Sequence, residues 1–260
     1  MKTCKIILIT LTLLLSKISL SQNSINLQKA IDLFNKRAEG ATGMSPKPEI
    51  IEEAIGILEK EMLVPGQHEK AGLYYLLSLN FKARFVCSNE DCKKPILESA
   101  IKIGKLLKDK YPNNGPICFE YIVSVGLLGE ISGVIKSIND GVVNKMRTNS
   151  EKLIAIDSLH NNGAGWKVLG VLNYRVPNLG IVFSWPSVKR SKQLLQKALK
   201  YFPNDIPNNF FYAEALMENK EKEMAKVYYQ NLLKLDIRKD NYLEDLDFKT
   251  KTVLLLQKWK

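Results

Sequence analysis

Apolar residues recur every three or four positions along most of this chain, and this spacing constrains its fold more than any other feature. The stripe containing Leu27, Ile31 and Phe34 is the first of the series. No segment combines strict apolar–polar alternation with flanking hairpin turns, the pattern typical of strands. Helical spacing therefore predicts an all-α fold of about 10–11 helices, arranged as antiparallel pairs.

Small residues occur where two helices of a pair would cross. In three predicted helices a small residue directly follows a leucine or an aromatic residue of the apolar stripe: Ser78, Gly170 and Ala213. A small side chain lets the partner helix approach closely, and a proline after the second helix, Pro112 or Pro203, turns the chain towards the next pair. Since one pair cannot bury its apolar face alone, the pattern predicts that pairs stack.

Two loops interrupt this regularity. The first is predicted over Phe85–Lys94, with Pro95 opening the next helix, because proline is tolerated in a first helical turn. The second covers Val176–Pro186. Cys87 and Cys92 flank the polar part of the first loop, and a turn there would let them form a disulfide. The alternative, a redox or metal pair, lacks a Cys-x-x-Cys motif or a second ligand pair; Cys118 is expected to be a buried thiol.

The spacing of these residues resembles a known repeat. Trp166-x-x-Leu169-Gly170 and Ala198-x4-Pro203 resemble the tetratricopeptide repeat. Residues 160–236 are also similar to the TRAP-transporter T-component family of exported tetratricopeptide-like proteins, through Leu169-Gly170, Pro177–Gly180, Ala198–Pro203 and Tyr212–Ala215. The resemblance implies a TPR-like α-solenoid over residues 22–260 and a non-catalytic binding or scaffold role outside the cytoplasm.

The N-terminus has the three parts of a signal peptide. Lys2 and Lys5 precede the apolar run Ile6–Leu15, and Ser19 and Ser21 provide small residues before a cleavage site. We therefore expect residues 1–21 to be a signal peptide, with a periplasmic or secreted mature chain. An uncleaved anchor is the alternative. No later segment is expected to be long and apolar enough to span a membrane.

The net charge is positive but does not indicate nucleic acid. The chain has 38 Lys and Arg against 27 Asp and Glu, and cleavage would remove three lysines and no acid, leaving 35 basic side chains. Arginine, the usual bidentate reader of bases, is scarce, and export would separate the protein from the genome. Lysines on helix exteriors favour solubility or attraction to an anionic surface.

The second loop contains the best candidate binding site. The loop is longer than a connection between two helices needs. Together with its flanking helices it contains several aromatic, amide and basic side chains: Trp166, Arg175, Asn178, Phe183, Trp185, Lys189 and Arg190. Trp185 could anchor a partner, and Arg175 or Arg190 could pair with a carboxylate. Alternatively, Phe183 and Trp185 cap the core between helices, and Trp166 belongs to that core.

No motif indicates catalysis, a metal or a cofactor. Asp157, Ser158 and His160 lie on one helical turn and point in different directions, unlike a catalytic triad. Acidic residues near the C-terminus lack the glycine-bearing turn of a calcium loop. We therefore expect a non-enzymatic protein that presents a concave surface to a protein or peptide partner in the cell envelope, or binds a small anionic molecule. The alternative is a small-ligand accessory component of an envelope transport system.

Overall fold

The computed structural model describes residues 25–177 and 186–259. Their regular structure is helical, which confirms the all-α prediction. A helical segment over 25–35 is α1. It is followed by α2 (Pro48–Glu61), α3 (His68–Phe81), α4 (Glu90–Lys110), α5 (Gly115–Ser132), α6 (Val134–Asn139), α7 (Val142–Ile156), α8 (His160–Arg175), α9 (Val188–Tyr201), α10 (Ile206–Glu218), α11 (Lys222–Lys234) and α12 (Tyr242–Gln257). The predicted signal peptide lies outside the described residues.

Two helix boundaries differ from the sequence-based expectation. Gly133 has φ of 79° and divides a predicted single helix into α5 and α6, which raises the number of described helices to twelve. Pro95 lies inside α4 instead of opening it. The helix begins earlier because the Asn89 side chain accepts a hydrogen bond from the Cys92 amide at 2.9 Å and caps the first turn.

The predicted loop over Phe85–Lys94 is mostly helical. One turn of π-helix, Lys82–Val86, extends α3, and α4 begins at Glu90, so only residues 87–89 are irregular. Cys87 and Cys92 form a disulfide across this short segment, with their Cα atoms 5.5 Å apart. Cys118 is a buried free thiol.

Close helix crossings occur at glycine. A Cβ atom at Gly170 would lie 2.6 Å from Cγ of Leu195. The helices α8 and α9 can therefore be this close only because residue 170 has no side chain beyond hydrogen. A Cβ at Gly72 would lie 2.6 Å from Cδ2 of Leu107, between α3 and α4. Ser78, the small residue predicted at the crossing of this second pair, is fully buried, but the close approach of the two helices is at Gly72.

The helices form a row whose two ends meet. Along the row α3 contacts α5, α5 contacts α8, α8 contacts α10 and α10 contacts α12. α12 also reaches the N-terminal part of the chain, where Glu244 pairs with Arg37 at 3.3 Å and Asp247 with Arg84 at 2.8 Å. Leu243 belongs to the N-terminal apolar cluster and Phe248 to the C-terminal one. α12 therefore joins the two large cores.

One described helix, α5, is long and apolar enough to cross a membrane by length and composition alone, with a mean hydropathy of 1.2. The expectation that no later segment has these properties is therefore wrong for α5. However, 44% of the stretch is buried inside the protein, where it packs on α3, α4 and α7. A core helix has the same composition, so α5 is weak evidence for a spanning segment.

Asp205 is the centre of a buried network that fixes the entry to α8. Asn161, Asn162 and Gly163 all have positive φ there. The Asp205 carboxylate accepts from the Asn162 amide at 2.6 Å and from Arg238 at 2.9 Å. It also caps α10 by accepting from the backbone of Asn208 at 2.9 Å. The network thus connects α8, α10 and the segment before α12.

Candidate functional site

Arg175 lies where the ends of three helices converge. It is the last residue of α8, and its guanidinium is 3.0 Å from Glu214 of α10 and 3.8 Å from Glu130 of α5. The guanidinium carbon is 5.7 Å from the centre of the Phe211 ring and 5.8 Å from that of Tyr174. The arginine side chain nevertheless remains 42% exposed. It is thus held in one orientation while part of it faces solvent.

Tyr174 and Glu214 fix this orientation from behind. The Tyr174 hydroxyl donates a hydrogen bond to the same Glu214 oxygen that Arg175 contacts. Burial, and then the charge of Glu214, raises the pKa of Tyr174 well above its ordinary value, so the hydroxyl keeps its proton. Burial lowers the pKa of Arg175, whereas the charge of the Glu214 carboxylate and its hydrogen bond raise it, and the net pKa lies above its ordinary value. The group is therefore a permanent cation with a preset direction.

Trp166 does not share the site with Arg175. Trp166 precedes Arg175 by nine positions on α8, which separates the two residues by about 13 Å along the helix. Trp166 instead stacks on Tyr201, with ring centres 5.7 Å apart and planes inclined by 21°. Trp166 is partly buried in the contact between α8 and α9.

Lys189 and Arg190 lie in the first turn of α9, and both are exposed. The start of this helix is tied to the end of α8, because the Ser187 amide donates to Asn173 at 3.2 Å. Asn178, Phe183 and Trp185 lie outside the described residues. Of the four predicted binding residues that the structure describes, Arg175 is the one held by the carboxylates and rings at the convergence of the three helices.

Glu120 is a second notable group, buried at the junction of the row ends. Its carboxylate accepts from the Asn80 side chain at 2.9 Å, and the Ser124 hydroxyl donates to the other end of the same amide at 2.7 Å. The pKa of Glu120 is raised to about 7, and burial is the largest cause. The hydrogen bond from Asn80 and the charge of Arg37 lower this pKa, whereas the charge of Glu244 raises it. Protonation of Glu120 is thus linked to the contact between α12 and the N-terminal helices.

We expect this carboxyl group to make stability depend on pH. Because its pKa in the folded chain, about 7, exceeds the ordinary 4.5, the folded state retains the proton longer. The contribution to stability is fully present below pH 4.5 and lost as the pH rises through 7. Urea unfolding at pH 5 and pH 8 should show a loss of about 2 to 3 kcal/mol in the native chain that Glu120→Gln lacks. Equal losses in both chains would contradict this assignment.

A polar surface cleft lies elsewhere, between the turns that precede α3, α5 and α8. Two adjoining concavities of about 670 and 410 Å³ share Glu69, Lys110 and Tyr111 in their walls. Glu69 accepts from Asn114 at 2.8 Å, and His68 Nδ1 is 3.1 Å from the Tyr111 hydroxyl. These hydrogen bonds connect the turns, so the polar groups that line the cleft are already paired with one another.

Asp157 and His160, the acid and the histidine of the rejected catalytic triad, make structural contacts. Asp157 accepts from the Leu159 amide at 3.0 Å, and the His160 ring lies edge-on to Phe119 with centres 5.6 Å apart. Burial lowers the pKa of His160. Over residues 25–177 and 186–259, no group of three His, Cys, Asp or Glu side chains is placed to hold a metal ion.

No family model matches the chain, and no curated protein is similar to it.

Glu130 and Glu214 are the site residues that sequence reasoning missed. Glu214 pairs with a residue 39 positions away, a distance at which no periodic pattern predicts a contact. In the sequence, Glu214 was notable only because it follows Ala213, the small residue that predicted a helix crossing and not an ion pair.

Proposed function

We propose that the chain is an exported, non-enzymatic helical-repeat protein of the TPR-like type that binds a protein or peptide partner in the cell envelope. The observation that carries this proposal is the half-exposed, pre-oriented guanidinium of Arg175 at the convergence of α5, α8 and α10. Arginine with a fixed direction suits recognition of a carboxylate, since its planar fork donates two parallel hydrogen bonds. The partner group is therefore a carboxylate, and the one we propose is the C-terminal carboxylate of a peptide.

The neighbouring rings support a peptide rather than a bare anion. Phe211 and Tyr174 flank the arginine, and aromatic side chains beside an arginine are typical of interface anchors. Glu130, 65% exposed and 3.8 Å from Arg175, is the weaker of the two carboxylate partners. An incoming carboxylate would displace it while Glu214 keeps the guanidinium in place.

Peptide libraries with free or amidated C-termini test this proposal, since the two sets differ only in the group that Arg175 would recognise. The mature protein is expected to enrich free-acid peptides, and Arg175→Gln to weaken their binding at least about ten-fold, as for a charge-assisted hydrogen bond pair. Arg190→Gln is the matched control, because Arg190 is exposed on α9, and it should leave the affinity unchanged. Equal loss in both variants, or no preference for free acids, would overturn the proposal.

A second candidate is a small-ligand accessory component of an envelope transport system. The observation that favours it is the contact of α12 with Arg37 and Arg84, because a row whose ends meet limits the access of an extended chain to the surface between them. Native mass spectrometry of protein purified from its own envelope fraction separates the two. A retained small anion without peptide binding would support this candidate over the first.

A further inference from the structure

The outward face of α9 carries an exposed polar stripe whose charged residues, at its two ends, are all basic. Side chains at helical spacing along Val188–Tyr201 are exposed in the order Lys189, Arg190, Gln193, Gln196, Lys197 and Lys200. The opposite face, with Leu194, Leu195 and Ala198, is buried. Successive positions three or four residues apart lie on one side of a helix, so the stripe is about 16 Å long and straight.

The charge of this stripe is unbalanced. The sequence of α9 contains five basic residues and no acid. Lys192 pairs with Glu221, but in the described parts of the chain no carboxylate lies within 4 Å of Lys189, Arg190 or Lys197. On α4, by contrast, Lys105 and Lys108 both contact Asp109 of their own helix.

An aromatic pair ends the stripe. Tyr201 is 54% exposed, follows Lys200 directly and carries the stacked ring of Trp166 on one face. Tyrosine and tryptophan favour the boundary between lipid headgroups and water, where one part of the ring is apolar and the other hydrated. Lysine, a compact hydrated charge, suits attraction to a charged surface more than bidentate recognition of one group.

We propose that the outer face of α9 docks the protein on the surface of an anionic lipid bilayer. A straight row of cations can approach a plane of headgroup phosphates along its whole length, and the exposed Tyr201 enters the headgroup layer at one end. This inference is independent of the proposed peptide site, because it uses a different surface and a different chemistry.

Vesicle binding tests the inference. The mature protein is expected to sediment with phosphatidylcholine vesicles that contain about 30% phosphatidylglycerol at low salt, and not with pure phosphatidylcholine, because basic residues respond to the surface potential. Each surface cation contributes about five-fold to partitioning. The double variant Lys189→Glu with Lys197→Glu should therefore lose at least about 25-fold.

The matched control changes the same net charge on α4. Lys102→Glu with Lys105→Glu alters two exposed lysines of a helix that also carries acids, and it should retain most of the binding. Thermal unfolding of both double variants checks that they fold. Equal loss in the two variants would overturn the inference, since net charge alone would then explain binding. Failure to bind the anionic vesicles, or full displacement by millimolar glycerol phosphate, would also overturn it.

Discussion

Asp205→Ala is expected to lower the free energy of unfolding by about 4 kcal/mol, the cost of leaving buried charges without a partner. The Asp205 side chain is only 2% exposed, and it lies 3.4 Å from Lys167 and 2.9 Å from Arg238. Alanine would remove these contacts together with the cap of α10, which itself contributes about 1 kcal/mol. Burial already lowers the pKa of Lys167, and Asp205 raises it, so this lysine would lose the group that favours its charge.

Urea unfolding followed by circular dichroism measures this loss. Asp236→Ala is the control, because Asp236 is exposed, and a change at such a site is usually within about 0.5 kcal/mol. Asp205→Asn should fall between the two, since an amide oxygen can still cap α10 but carries no charge. A loss below about 1 kcal/mol for Asp205→Ala would show that the network contributes little.

Gly170→Leu should lower the free energy of unfolding by about 3 kcal/mol through overpacking. Its Cβ would lie 2.6 Å from Cγ of Leu195, and Leu195 is fully buried, so neither side chain can move aside into solvent. The helices α8 and α9 would have to separate. Unfolding by heat or urea would report the loss, and hydrogen exchange would locate it in these two helices.

Gly56→Leu provides the control for this substitution. Gly56 is an exposed residue of α2 with no atom within 4 Å of the position that a Cβ would occupy. There the leucine should stabilise the protein by about 0.5 to 1 kcal/mol, because it favours helix more than glycine does. If both substitutions had the same effect, the glycine contact between α8 and α9 would be wrong.

Most of the fold was predictable because burial follows helical periodicity. The stripe with Leu27, Ile31 and Phe34 is buried as predicted, and Gly170 faces the partner helix. The beginning of α4 was not predictable from Pro95, since the side chain of Asn89 caps the helix one turn earlier. Nor does a pattern of apolar residues show that Gly133 adopts a positive φ, because glycine occurs within helices as well as between them.

The candidate site was predictable only in part. Arg175 stood out as a basic residue beside an unusual loop, but its pairing with Glu214 joins helices that a periodic pattern treats separately. The pair Arg84–Asp247 spans an even longer separation along the chain, and Arg238–Asp205 spans a similar one. The spacing of charged residues on helix exteriors does not predict which of them form ion pairs between helices. These contacts depend on how the row of helices curves.

Close stacking of helices at small residues is the claim on which the rest depends, and a double-mutant cycle tests it most directly. Leu195→Ala alone should cost about 3 kcal/mol by leaving a cavity. Added to Gly170→Leu, it frees the space that the new side chain needs. The combined loss should then be smaller than the two single losses together by at least about 1 kcal/mol. Additive losses would contradict direct contact between Gly170 and Leu195, and with it the packing proposed here.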